Sequence, residues 1–202
     1  MRVVTDARRP VLSLLLAAVP LALLSPLFGA LALALAGFVA YFFRDPERTP
    51  PPEGVVSPAD GRVSVVREEG DRIRVGVFMN VTDVHVLRAP ADGVVASVTH
   101  RPGAHRPAFS KESERNERVD AVVGDYDLSM IAGWFARRIH PSLSPGDAVA
   151  RGDRVGYIAF GSRADVLLPP EYDRADVFVR EGHPVRAGET VVALRREGDP
   201  AE

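Results

Sequence analysis

One uncharged run constrains the N-terminal part of the chain more than any other feature. It extends from Val11 to Phe43, 33 residues made mostly of Leu, Ala, Val and Phe. As a single helix it would be about 50 Å long, well beyond the roughly 30 Å hydrocarbon core of a bilayer. Pro20 and the Ser25–Pro26 pair interrupt the run, and proline favours a break before a fresh apolar segment. We therefore predict a helical hairpin with legs near residues 11–24 and 27–43.

Basic residues flank this run and predict its orientation. The flanking arginines are Arg2, Arg8 and Arg9 before the run, and Arg44 and Arg48 after it. By the positive-inside tendency, both ends of the hairpin face the cytoplasm. A cleaved signal peptide is the alternative, but the run is too long and Tyr41-Phe42-Phe43 is a poor small-residue cleavage site. We expect residues 1–43 to anchor the chain in the cell membrane, either spanning the bilayer or only entering it.

The remaining residues, 44–202, have the pattern of a mainly β domain. Short runs of alternating polarity are separated by Gly, Pro and Asp turns, which predicts a sandwich or barrel-like architecture. The turn at residues 57–61 recurs at residues 89–93, and later Gly-Asp-x-Val turns resemble the hairpins of lipoyl carrier domains. A carrier needs a lysine on an exposed hairpin. The only lysine, Lys111, lies instead in an irregular segment, residues 99–118, that we predict to be a long loop.

Composition excludes several kinds of chemistry. The net charge of −2 gives no basic field for nucleic acid. The absence of cysteine excludes disulfides, thiolate metal sites and a cysteine nucleophile, and the five histidines show no metal-ligand spacing, so we expect no metal. Taken alone, Asp60 is interpreted as a turn former, His85 as a core residue of a strand predicted over 81–87, and Ser162 as a turn residue. Residue-level reasoning therefore supports only a membrane-anchored β-rich domain.

A series of motifs in a fixed order carries a more specific signal. The motifs are Phe43-Arg-Asp-Pro-Glu-Arg48, Ser57-Pro-Ala-Asp-Gly61, Phe78-Met-Asn-Val81, Asp83-Val-His-Val86, Arg88-Ala-Pro90, Ser113-Glu-Arg-Asn-Glu-Arg118, Ile131-Ala-Gly133, Ala136-Arg-Arg-Ile139 and the block from Val155 to Pro169. From roughly residue 35 to 195 the chain resembles the short form of phosphatidylserine decarboxylase proenzymes. The Phe-Gly-Ser-Arg-x-Asp-Val block that contains Ser162, taken together with the other motifs, makes the resemblance highly specific.

The resemblance implies that the chain cuts itself between Gly161 and Ser162. The Ser162 hydroxyl would attack the Gly161 carbonyl to give an ester, and elimination followed by hydrolysis would leave a covalent pyruvoyl group, the pyruvate cofactor. The products would be a β subunit, residues 1–161, and an α subunit, residues 162–202. A pyruvoyl carbonyl forms a Schiff base with the substrate amine, so the decarboxylation would need no lysine.

The resemblance also implies roles for other residues. Asp60 and His85 match the family's positions for a Ser-His-Asp arrangement that activates Ser162, and His85 is our candidate for protonating the substrate carbon. Longer family members carry a second histidine where this chain has Arg88, which leaves the division of steps open. Arg88 and Arg163 are candidates for binding a substrate phosphate or carboxylate.

The expected activity is conversion of phosphatidylserine to phosphatidylethanolamine and CO₂ in phospholipid biosynthesis. Two alternatives stay open at this point. One is a related serine lipid such as archaetidylserine, and the other is a non-enzymatic β domain tethered to the membrane. The expected partners are the lipid substrate, the membrane and the two subunits cut from one chain. Nucleic acid is not expected, and a higher oligomer is left open.

Overall fold

The computed structural model of the protein describes residues 2–104, 115–133, 138–159 and 162–195. By the density of internal contacts the chain divides into two compact units, Met1–Glu47 and Arg48–Glu202. The first unit is helical, whereas the second is built almost entirely from strands. The prediction of a mainly β fold with an N-terminal helical hairpin is therefore confirmed.

The first unit is a pair of helices closed by a short strand pair. Helix α1 spans Thr5–Leu24 and α2 spans Pro26–Phe42, while β1 (Arg2–Val3) pairs antiparallel with β2 (Arg44–Asp45). Ser25 is extended between the helices, and Pro26 occupies the first turn of α2, where its missing N–H costs nothing. The break predicted at this pair is confirmed. The interruption predicted at Pro20 is wrong: Pro20 lies inside α1, which also begins several residues earlier than predicted.

Small residues line the contact between these two helices. Gly29, Ala32 and Ala36 are the buried small residues of α2. A Cβ atom at Gly29 would lie only 2.5 Å from the Cβ of Ala22, so glycine permits the close approach. The large apolar side chains point outward instead, among them Leu16, Leu23, Leu24, Leu27, Leu31 and Phe28. By length and composition α1 is long and apolar enough to cross a membrane, and α2 is a shorter apolar helix of 17 residues.

In the described residues, the second unit contains thirteen strands, β3 to β15. Their bounds are β3 Val55–Val56, β4 Gly61–Glu69, β5 Arg72–Met79, β6 Val86–Arg88, β7 Gly93–Arg101, β8 Arg118–Val123, β9 Tyr126–Ile131, β10 Ile139–Pro141, β11 Ala148–Val149, β12 Arg154–Ile158, β13 Ser162–Leu167, β14 Pro184–Val185 and β15 Val191–Ala193. Eight of them form one antiparallel sheet in the order β11-β7-β8-β9-β13-β5-β4-β14. Strands β10, β12 and β6 form a second sheet, and β15 pairs with β3.

The large sheet has one apolar face and one charged face, because side chains alternate along each strand. The apolar face packs into the core, to which the central strands contribute Val75, Val77, Leu128, Met130, Ala164 and Val166. The neighbouring positions carry charge on the opposite face, including Arg74, Asp127, Arg163 and Asp165. Strand β13 lies between β9 and β5 near the centre of this sheet.

Two segments differ from the sequence-based expectation. The strand predicted over 81–87 is wrong, because β6 begins only at Val86. The preceding residues form a tight turn in which the Asp83 carboxylate accepts a hydrogen bond from the Asn80 N–H at 2.7 Å, a local bond that competes with strand pairing. In the loop predicted over 99–118, β7 extends to Arg101 and β8 begins at Arg118, while residues 105–114 lie outside the described part of the chain.

Candidate active site

Ser162 lies at the start of the central strand and is fully buried. It is the first residue of β13, and the register pairs it with Met79, the last residue of β5. Its hydroxyl lies 3.9 Å from the Met79 sulfur, a weak acceptor. Gly161, the other predicted cleavage residue, lies outside the described residues. The predicted nucleophile is therefore buried and lies beside an apolar side chain.

His85 is brought to the segment that precedes Ser162 by strand pairing. Its carbonyl accepts a hydrogen bond from the Ile158 N–H at 3.3 Å, where β6 and β12 run side by side. On the other side of the turn, Met79 pairs with Ser162. The turn that contains His85 therefore links β5, which pairs with Ser162, to β6, which pairs with β12.

The imidazole of His85 is buried and oriented by the backbone. The side chain is 1% exposed, and Nδ1 lies 3.0 Å from the carbonyl oxygen of Asp83. Because a carbonyl can only accept, this contact is a hydrogen bond when Nδ1 carries the proton. In the neutral ring Nε2 then keeps the lone pair that a general base requires. The Asp83 carbonyl thus favours the tautomer that carries the proton on Nδ1.

Asp60 is held by two charged or polar partners. Its Oδ2 accepts from Arg48 Nη2 at 2.8 Å and its Oδ1 accepts from the Ala187 N–H at 2.8 Å, with the side chain only 13% exposed. Arg48 also binds Glu189 at 2.8 Å. Asp92, the equivalent residue of the twin turn, is 71% exposed and is a turn residue, as expected. The proposed role of Asp60 in serine activation stays a prediction.

Arg88 and Arg163 are both buried and hydrogen-bonded within the protein. Arg88 is 4% exposed and donates to the Gly152 carbonyl at 2.9 Å. Arg163 forms a two-pronged ion pair with Asp165, Nε to Oδ1 at 2.8 Å and Nη2 to Oδ2 at 2.9 Å. These contacts give both arginines structural partners. Their binding to a substrate anion stays a prediction.

Asp165 was not expected from the sequence. It is 1% exposed, and burial raises the pKa of this carboxyl while the neighbouring Arg163 and Arg74 oppose that shift. Arg74 Nη1 lies 3.7 Å from Asp165 Oδ2. Gly76 is paired with Asp165 across the strands, and a Cβ atom there would lie 2.6 Å from Oδ1. The signals available in the sequence were the Arg-x-Asp spacing, which puts both residues on one strand face, and a glycine inside a strand.

A charged cavity of about 480 Å³ lies on this face of the sheet. Its charged lining consists of Arg67, Glu69, Arg74, Arg101, Arg118, Asp120, Asp127, Arg163 and Asp165. The hydrogen bonds from Arg74 lower the pKa of Glu69 to about 2.

Across the described residues, no group of three or more His, Asp or Glu side chains is arranged to hold a metal ion.

Comparison with known proteins identifies the family. The family model described as phosphatidylserine decarboxylase matches residues 35–193. A Halobacterium salinarum chain provisionally named an archaetidylserine decarboxylase proenzyme is 60% identical over 167 residues, covering 82% of this chain and 85% of the relative. The phosphatidylserine decarboxylase proenzyme of Thermobifida fusca is 51% identical over 162 residues, covering 78% and 73% respectively. The chain therefore belongs to the phosphatidylserine decarboxylase family.

Proposed function

We propose that this chain is a proenzyme that cuts itself between Gly161 and Ser162 and then decarboxylates phosphatidylserine to phosphatidylethanolamine. The observation that carries the proposal is the position of Ser162. Ser162 is buried at the start of β13, opposite Met79 of β5. The turn that contains His85 connects β5 to β6, and β6 pairs with β12, the strand that precedes the predicted cut. This strand arrangement supports a site in which His85 serves as the base for the Ser162 hydroxyl.

The residues present support self-cleavage by an acyl shift. A serine hydroxyl is a weak nucleophile and needs a base to accept its proton, and His85 in the tautomer fixed by Asp83 offers Nε2 for that purpose. Attack of the Ser162 Oγ on the Gly161 carbonyl forms an ester as the peptide C–N bond breaks and the proton passes to the amine. Loss of the Cα proton of residue 162 then expels the Gly161 carboxylate. Hydrolysis releases ammonia and leaves a ketone at residue 162.

The surroundings of residue 162 fit such a ketone. Residue 162 is fully buried, and the Met79 thioether beside it is chemically inert toward a carbonyl. When present, a pyruvoyl group supplies the electron sink for decarboxylation of an amine-bearing substrate. His85 is the proposed donor of a proton to the substrate carbon, with Asp60 supporting the arrangement.

The fold also gives the two fragments a reason to stay together. The α fragment, residues 162–202, would contribute β13 to the middle of the large sheet, hydrogen-bonded to β5 and β9 of the β fragment. Its Ala187 and Glu189 bind the Asp60 and Arg48 side chains of the β fragment. Removing a central strand would expose buried apolar surface from both sides, so we expect a tight complex after cleavage.

The N-terminal hairpin supports a lipid substrate at a membrane. Its outward Leu and Phe side chains match a lipid environment, and we propose that it anchors the catalytic unit on the cytoplasmic face of the cell membrane. Relatives named for phosphatidylserine and for archaetidylserine both match the chain strongly. The two lipids share the serine headgroup, so archaetidylserine is the second candidate substrate.

The test is a decarboxylase assay on the purified full chain with both lipids. Phosphatidylserine and archaetidylserine are supplied separately in mixed micelles, and the released CO₂ is measured. Reductive trapping with cyanoborohydride should attach the substrate amine to the α fragment only. A cleaved preparation that releases no CO₂ from either lipid, or traps nothing on the α fragment, would refute the proposed function.

A further inference from the structure

We propose that Asp165 is a positioning residue: its paired hydrogen bonds with Arg163 hold residue 162, and the carbonyl group formed on it, in place after the chain is cut. The inference rests on the proposed function, since it concerns the state that follows self-cleavage. It assigns a purpose to Asp165, a buried carboxylate three residues after Ser162 that the cleavage chemistry does not use.

Cleavage creates a chain terminus at the reacting residue. Before the cut, residue 162 is held by covalent bonds on both sides, and afterwards on one side only. Chain ends fray unless other contacts hold them. Conversion of the amine to a ketone also removes the backbone N–H of residue 162, so the first N–H of the new fragment belongs to Arg163. A carbonyl group that must meet the substrate amine accurately thus loses two of its restraints.

Strand pairing alone restrains this terminus only weakly. In the described part of the chain, Ser162 is in register with Met79 of β5, whereas the register with β9 begins one residue later, at Arg163 opposite Ile131. Arg163 is therefore the first residue of β13 with a strand neighbour on each side. Contacts that hold Arg163 in place therefore also restrain residue 162, to which it is covalently bonded.

The side chain of Arg163 is fixed by Asp165. The guanidinium donates through Nε and Nη2 to the two carboxylate oxygens at 2.8 and 2.9 Å, a planar geometry that leaves little rotational freedom. Exposed side-chain fractions are 7% for Arg163 and 1% for Asp165, so solvent does not compete for these bonds. Both residues lie on the same face of β13, two positions apart. The pair therefore stiffens the first residues of the strand after the cut.

The neighbouring strands are shaped around this carboxylate. Asp165 is flanked by Gly76 on β5 and by Ser129 on β9. A Cβ atom on Gly76 would fall 2.6 Å from Asp165 Oδ1, and Ser129 turns its hydroxyl to Asp120 at 2.7 Å. Glycine in a strand interior weakens the strand. A glycine at position 76, beside a buried carboxylate that accepts two hydrogen bonds, is explained if the position of that carboxylate matters.

The experiment compares Asp165→Asn with Asp120→Asn in the full-length protein. Asparagine keeps the shape of Asp165 but loses the charge and one acceptor. Asp120 lies on the same charged face and also binds arginines, Arg101 of β7 and Arg118 of β8. We expect Asp165→Asn to cut itself about as completely as the wild type. Its mature kcat should fall by about 10²-fold, the effect expected of an ångström-scale misplacement, with KM nearly unchanged.

A second readout separates positioning from general loss of structure. Hydrogen exchange of the mature Asp165→Asn protein should be faster in the peptide that contains residues 163–166 and unchanged elsewhere. Arg163→Lys, which keeps the charge but cannot form two parallel bonds, should show the same kcat loss. It also serves as the test if Asp165→Asn does not fold.

Three results would overturn the inference. The first is wild-type kcat in both the Asp165→Asn and the Arg163→Lys proteins. The second is a kcat loss shared equally by Asp120→Asn and accompanied by faster exchange across the whole sheet, which would mark a structural effect. The third is a wild-type chain that stays uncut. This result would refute the proposed function itself, and it is distinguished from the other two because the unmodified protein fails to cleave.

Discussion

Replacing Asp60 tests whether its carboxylate has a structural role, a chemical role or both. The carboxylate accepts one hydrogen bond from Arg48 and one from the Ala187 N–H, each at 2.8 Å, in a side chain that is 13% exposed. Asp60→Asn can keep its amide oxygen as the acceptor for the Ala187 N–H, which turns the amide NH2, a donor, toward Arg48. Asp60→Ala removes both acceptors and leaves the Ala187 N–H without one.

The expected loss of stability follows from those two contacts. A hydrogen bond to a charged group contributes about 1.5–3 kcal/mol. Arg48 keeps Glu189 as a partner at 2.8 Å, so Asp60→Asn should lower the free energy of unfolding by only about 1.5 kcal/mol. Asp60→Ala should cost about 3 kcal/mol, because both bonds are lost and a backbone donor is left unsatisfied. Either loss leaves a protein of ordinary stability folded.

Two assays separate the roles. Unfolding in urea is measured in a Ser162→Ala background, where no cut can occur, with Glu189→Gln as the matched control. Glu189 binds the same Arg48 but is 31% exposed, so its loss should cost under about 1 kcal/mol. Self-cleavage is then measured with Ser162 intact, where Asp60→Asn should be slower by about 10²-fold or more if the carboxylate supports the base.

Either half of this reasoning can fail separately. If Asp60→Asn changes the free energy of unfolding by no more than Glu189→Gln, the contact between Asp60 and Arg48 does not stabilise the fold as argued. If Asp60→Asn cuts itself at the wild-type rate, Asp60 has no part in serine activation and its role is structural only.

Three further predictions test other parts of the structure. Gly76→Ala should lower the free energy of unfolding by about 1–3 kcal/mol, because the added Cβ would meet Asp165; a variant as stable as the wild type in urea would contradict this packing. The Glu69 carboxyl has its pKa lowered to about 2 by Arg74, so its stabilising contribution is complete above about pH 4.5 and is lost as pH falls toward 2. With the side chain 41% exposed, that contribution is about 1 kcal/mol, and unfolding curves of Arg74→Gln should depend less on pH across this range. Gly29→Leu should force the two helices of the hairpin apart, seen as a lower melting temperature of the helical circular dichroism signal in micelles, and an unchanged melting would refute the close contact.

The parts of the fold that the sequence predicts are those set by local periodicity. The uncharged run predicts the hairpin, and alternating polarity predicts most of the strands. Each of these patterns lies within one short segment of the sequence. Pro20 was expected to interrupt the run but lies within α1. A single proline removes one hydrogen bond, and the outcome depends on the rest of the helix and its packing. The turn at Asn80 and Asp83 was missed because side-chain bonds to the backbone override an alternating pattern.

The site was predictable only in part, and for a related reason. Ser162 and His85 were found through motifs, but their spatial relation depends on strand register between distant segments, which no local pattern encodes. The orientation of His85 by the Asp83 carbonyl involves a backbone atom and leaves no mark in the sequence. Asp165 and Gly76 share one cause, since a Cβ atom on Gly76 would lie only 2.6 Å from Asp165 Oδ1. Only the strand pairing shows that they are partners.

The most direct test of the central claim is the denatured intact mass of the purified full-length protein beside Ser162→Ala. The account predicts two fragments for the wild type, breaking after Gly161, with a smaller fragment whose mass corresponds to a pyruvoyl start at residue 162. Ser162→Ala should remain a single full-length chain. One uncut chain in both samples, or cleavage that persists in Ser162→Ala, would contradict it.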